Sequence, residues 1–156
     1  MPEQIPIFNQ PHSDGFWSGI GGHFDNFSQV ICEFVDNSVS NFVQNSSSQP
    51  NILITLEELS SGDVKVIIED TGSGIVDLDR AFTMGGIDPD APSLNEHGFG
   101  LKHALATANK SNNSWSISTR TNEQLSNGSF DVIEARYLIE NFQANRYSID
   151  SDKRDW

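Results

Sequence analysis

Asn51 to Ile75 reads NILITLEELSSGDVKVIIEDTGSGI. Two apolar, β-branched runs flank Ser60-Ser61-Gly62-Asp63, a cluster of turn residues. This pattern predicts a hairpin, with a first strand from Asn51 to Leu59 and a second from Val64 to Glu69. Alternation would place Ile52, Ile54 and Leu56 on one side of the first strand. The second strand then delivers Asp70 into a turn that carries Gly72 and Gly74.

Outward from the hairpin, the preceding segment is the strongest helix signal. From His23 to Gln44, Phe24, Phe27, Ile31, Phe34, Val35, Val39 and Phe42 recur at steps near three and four. Gln29, Glu33, Asn37 and Asn41 are each four residues apart and so share a polar stripe. After the hairpin, Asp77 to Met84 predicts a short helix that starts at an Asp and stops at Gly85-Gly86. Gly86 to His97 holds two prolines without periodicity and reads as a loop. Leu101 to Lys110 predicts a helix entered through glycines. Ser114 to Arg120 and Phe130 to Tyr137 alternate like strands, and Asn127-Gly128 suggests the turn between them. Arg146 to Ile149 adds a candidate last strand. The strands pair with sequence neighbours and the helices are few. That order predicts an α+β two-layer sandwich, a mixed and mainly antiparallel sheet with helices on one face. The expected division is an arm over 1–22, one domain over 23–140 and a tail over 141–156. Phe16 and Trp17 give the arm a means of docking.

The 156 residues suffice for one core without metal or disulfide staples. Asp and Glu total 22 against 9 Lys and Arg, a formal charge of -13. Such a field repels nucleic acid and anionic membrane, so neither is an expected partner. The lone cysteine, Cys32, excludes an internal disulfide and a cysteine-built zinc site. Its apolar neighbours predict a buried thiol. MPEQIPIFNQ is no signal peptide, and no apolar run approaches the length of a membrane span, so a cytoplasmic location is expected.

Three constellations carry chemistry. Glu33 and Asn37 lie one helical turn apart, so an amide oxygen could coordinate Mg2+ while a carboxylate polarises water. A solvated polar face is the plainer reading of that pair taken alone. In D-T-G-S-G, Gly72 and Gly74 would let backbone approach a flat or charged ligand. Asp70 could accept a hydrogen bond from an exocyclic amine such as that of adenine, or simply cap its own turn. The same letters suggest an aspartic protease. Against that stand Glu69 in a place usually apolar, and the lack of a second D-T-G. Finally, Glu96 to Ala104 reads EHGFGLKHA. Two glycines open a helix there, so free N–H groups converge at its positive end with Lys102 in the first turn. The spacing of His97 and His103 does not suit metal binding on one helix face.

Together these elements resemble the GHKL ATPase superfamily, which shares the Bergerat ATP-binding fold: gyrase B, heat-shock chaperone ATPases, histidine kinases, MutL and MORC proteins. The resemblance covers roughly Phe24 to Tyr137 and looks closest to MORC-like and chaperone-type members. It implies that Glu33 is the general base and that Asn37 binds Mg2+. It implies that Asp70, with Gly72 and Gly74, reads adenine. Met84, Gly85 and Gly86 would begin a lid, and Gly98, Phe99, Gly100, Leu101 and Lys102 would hold phosphates. ATP and Mg2+ are the implied ligands, with slow hydrolysis driving conformational switching or an ATP-dependent homodimer. A histidine-kinase-like phosphoryl donor and a nucleotide sensor without hydrolysis are the alternatives. Ser40 and Asn41 depart from the Asp and Ala that many relatives carry. Thr119 and Ser148 are the candidates for a late residue supporting adenine. Gyrase and MutL relatives continue into a transducer domain, so this chain reads as one domain of a longer protein.

Overall fold

In the computed structural model, residues 13–45, 49–83, 98–111, 113–134 and 144–148 are described. Helix α1 (Ser13–Ile20) precedes α2 (Phe27–Asn45), followed by β1 (Ile52–Glu58) and β2 (Val64–Asp70). Short α3 (Leu78–Phe82) leads towards α4 (Gly100–Ala108), then β3 (Ser116–Thr119), α5 (Asn122–Asn127), β4 (Ser129–Glu134) and β5 (Ala144–Ser148). The fold is α+β, as the order of elements predicts.

The described strands form a two-stranded sheet, β1-β2, and a three-stranded sheet, β3-β4-β5, and every pairing is antiparallel. The single mixed sheet expected from sequence is therefore divided among the described residues. Backbone and side-chain contacts join the halves where ladder bonds do not. Ile75 N donates to Thr119 Oγ1 at 2.7 Å, just beyond the end of β2.

Trp17, Phe82, Leu105, Ala106 and Ile133 form the core, with Phe34, Leu101, Trp115 and Ile117 packed around it. Trp17 is almost fully buried, stacks on Trp115 and donates its indole N–H to Asn109 O at 2.8 Å. That bond satisfies a carbonyl at the C-terminal cap of α4. The described part of the arm is thus a helix fastened to α4 through Trp17, an element not expected from the sequence.

Cys32 is exposed, which corrects the buried thiol expected from its neighbours. The buried residue of that turn is Val30. Two helical positions rotate by about 200°, so Cys32 points to the opposite side of α2. In the first strand the shared side of Ile54 and Leu56 is largely exposed, at 42% and 62%. The hydrogen bond between Ser38 and Asp70 ties α2 to the end of the hairpin far from its turn, so exposure rises from Ile54 to Leu56 towards the turn.

Between β3 and β4 the structure places a helix where a turn at Asn127-Gly128 was expected. Thr121 caps α5 by accepting from Gln124 N, while the Gln124 side chain accepts from Thr121 N. Gly128 ends the helix at φ 71. T-x-x-Q is a capping box, and a left-handed glycine is a usual helix stop as well as a turn residue. Thr121→Ala should lower stability by about 0.5–2 kcal/mol. Urea denaturation checks this through a lower midpoint at unchanged slope.

Candidate functional site

Three chain segments converge where α2 meets β2 and α4. Asp70 stands at the end of β2, and its carboxylate is held on both oxygens. Ser38 Oγ donates to Oδ2 at 2.7 Å, and Gly72 N donates to Oδ1 at 2.8 Å. These bonds orient the carboxylate and leave lone pairs for a further donor. Ser38 is buried, one residue after Asn37.

Asn41 fastens the D-T-G-S-G turn to α2. Its Nδ2 donates to Gly74 O at 3.1 Å, and its Oδ1 accepts from Ser73 N at 2.8 Å. Gly74 lies at φ +74, and a Cβ there would strike the backbone carbonyl of Arg120. Both conditions require glycine. The turn is therefore clamped between α2 and the end of β3. Buried Thr119 completes the clamp by accepting from Ile75 N. Of the two residues considered for a supporting role, Thr119 lies at this turn, whereas Ser148 pairs with Ser129 across the same three-stranded sheet, on β5.

Glu33 lies against the start of α4. A Cβ on Gly100 would meet the Glu33 carboxylate, so any larger residue there would push the carboxylate away from the start of α4. Burial and the neighbouring Asp36 raise the Glu33 pKa, partly offset by His23. Asn37 Nδ2 donates to Glu33 O at 2.7 Å, which turns the amide oxygen free of that bond. The first turn of α4 has no side-chain cap: its N-cap residue is Phe99. Gly98, Phe99, Gly100 and Leu101 thus present uncapped backbone N–H groups beside a carboxylate.

Lys102 is placed differently from the other phosphate-motif residues. It is buried, and Nζ donates to Ala81 O at 2.8 Å. Burial lowers its pKa to about 8. The ammonium is committed to the last turn of α3 on the core side of α4. Met84, Gly85 and Gly86 lie outside the described residues, as does the loop to His97.

Sequence reasoning passed over Ser38, although Val30, Phe34 and Ser38 continue one helical stripe. A serine in such a stripe is a signal of a polar task in a buried place. Ser40 is also buried, and its hydroxyl has no partner among the described residues. An open depression lined by Val76, Asp77, Leu78, Asp79, Asp131 and Arg146 lies elsewhere and holds none of the expected site residues. No group of three or more His, Cys, Asp or Glu suited to a metal occurs among the described residues.

A family model described as histidine kinase-, DNA gyrase B- and HSP90-like ATPase matches residues 22–134. The chain belongs to this ATPase family. A search of curated proteins found no match. The matched span runs from the turn before α2 to the end of β4 and contains every element of the convergence just described. The chain therefore carries a GHKL-type ATP-binding domain, and its α+β architecture is the Bergerat fold of that family. No helix among the described residues is long and apolar enough to cross a membrane.

Proposed function

We propose that this domain binds Mg-ATP between α2, the D-T-G-S-G turn and the start of α4, and hydrolyses it slowly. The observation that carries the reading is the approach of the Glu33 carboxylate to Gly100, at the uncapped start of α4. A candidate base and a candidate phosphate cradle thereby meet without an intervening side chain.

In this reading Asp70, oriented by Ser38, accepts the adenine amine. Gly72 and Gly74 allow the base to lie close to the turn, and Thr119 supports that turn from behind. Backbone N–H groups from Gly98 to Leu101 hold the phosphates, and Lys102 adds its charge from the core side. The free amide oxygen of Asn37 suits a hard cation, so Asn37 would hold Mg2+. When bound, that ion neutralises phosphate charge that the acidic surface would otherwise repel. Glu33 accepts the proton of the attacking water, and burial has already raised its basicity. A switch or clamp role, with pairing of two domains and closure of the 86–97 segment, follows from the resemblance to MORC-like and chaperone-type members alone.

Calorimetry with a non-hydrolysable ATP analogue, with and without Mg2+, tests the binding step. Binding that weakens at least tenfold without Mg2+, together with slow phosphate release from ATP, is the expected result. Absence of binding, or equal affinity for the GTP analogue, overturns the reading.

A further inference from the structure

His23 and His103 bring two imidazoles together beside the phosphate-motif turn. Their ring centroids are 4.4 Å apart with planes inclined by 34°. His103 also stacks on Phe99, the N-cap residue of α4, at 5.4 Å. Phe24 meets both imidazoles edge-on. The pair thus ties the turn before α2 to the first turn of α4.

The helical rotation decides which side of α4 each basic group occupies. Residues in an α-helix turn by about 100° each, so His103 lies roughly 60° from Gly100 and Lys102 roughly 160° from it. Gly100 faces Glu33, while Lys102 points to Ala81. His103 therefore shares the Glu33 side of α4, and the lysine does not.

We propose that the His23–His103 stack supplies the titratable positive charge on the Glu33 side of the phosphate-binding turn, so that binding of a nucleoside triphosphate takes up a proton. The inference rests on the ATP-binding reading given above and gives a role in it to two residues that the sequence motifs left without one. The charged groups facing the pair are Glu33 on α2, which feels His23, and Lys102 on α4, which acts on His103; Asp36 acts on Glu33, and the described side chains of α1 add no charge. In the free protein, burial, His23 and Lys102 all hold the His103 pKa below its ordinary value. His103 thus disfavours its charged form until an anion approaches. An anion raises the imidazole pKa, so the added affinity is present at acid pH. It is lost as pH rises through the raised value.

Calorimetry of the full chain with Mg2+ and a non-hydrolysable ATP analogue tests this, run in buffers of different ionisation enthalpy between about pH 6 and 8. Wild type should take up protons and bind roughly fivefold tighter at the acid end, the change expected when one imidazole pKa rises by about one unit. The His103→Gln and His23→Gln variants should each lose part of that slope, and the double variant all of the part the imidazoles contribute. The ligand's own ionisation is common to every variant and cancels in the comparison. Circular dichroism establishes that each variant is folded. Should the double variant misfold, proton NMR titration of the two imidazoles in wild type replaces it, and an unchanged His103 pKa on saturation overturns the proposal. Binding with the same pH slope in wild type and the folded double variant overturns it while leaving the ATP reading intact. Failure of wild type to bind the analogue at any pH overturns both.

Discussion

Glu33→Gln should leave binding of an ATP analogue within a few-fold of wild type while lowering phosphate release by about 10²- to 10⁴-fold. The substitution keeps the planar end of the side chain that lies against Gly100, so the start of α4 has no cause to move. Asn37 is also undisturbed, because its Nδ2 bonds the backbone carbonyl of residue 33 and not the carboxylate. What disappears is the proton acceptor. Glutamine cannot take a proton from water at neutral pH, whereas a carboxylate of raised pKa can. A malachite-green or coupled phosphate assay, paired with calorimetry, separates the two quantities. Turnover that survives in Glu33→Gln would remove Glu33 from the base position. A parallel loss of binding would make it a structural residue of the α2–α4 contact.

Asp70→Asn should weaken adenine-nucleotide binding by roughly 10- to 150-fold, the equivalent of about 1.5–3 kcal/mol for one hydrogen bond to a charged group. The carboxylate is already bound by Ser38 and by the Gly72 N–H, so little freedom remains for an amide to choose its orientation. If the Asn oxygen accepts from Gly72, its NH2 faces Ser38, whose hydroxyl can rotate to accept. The turn then persists, but the charged acceptor for an exocyclic amine is gone. Competition between ATP and GTP analogues gives the decisive reading: discrimination between the bases should shrink along with affinity. Full retention of both would move the base-reading role away from Asp70.

Much of this domain was legible in the residues. Hydrophobic periodicity located α2, and turn chemistry located the β1–β2 hairpin, because both are local properties of backbone geometry and side-chain volume. The three polar motifs were visible for the same reason: each is a short run in which glycine or a carboxylate has an unusual local task. Their spacing along the chain was enough to suggest the family. Less of the order between β3 and β4 was legible, since Asn127-Gly128 serves equally as a hairpin turn and a helix stop. There the capping box of Thr121 and Gln124 was the better local guide.

What the sequence determined by itself was most of the elements, α1 and α5 aside, their order and the residue types able to handle a nucleotide. Tertiary structure alone decided which of those residues share a space. Packing of α2 against α4 brings Glu33 to Gly100, residues far apart in the chain, and turns Lys102 to Ala81. The clamp of Asn41 and Thr119 on the D-T-G-S-G turn likewise depends on two elements from opposite ends of the domain. Periodicity assigns a residue to a face of its own helix, but the burial of that face depends on what the rest of the chain lays over it. Cys32 is exposed and Ser38 buried for this reason. Side-chain polarity was no guide to either, because long-range contacts, not local propensity, decide what water can reach.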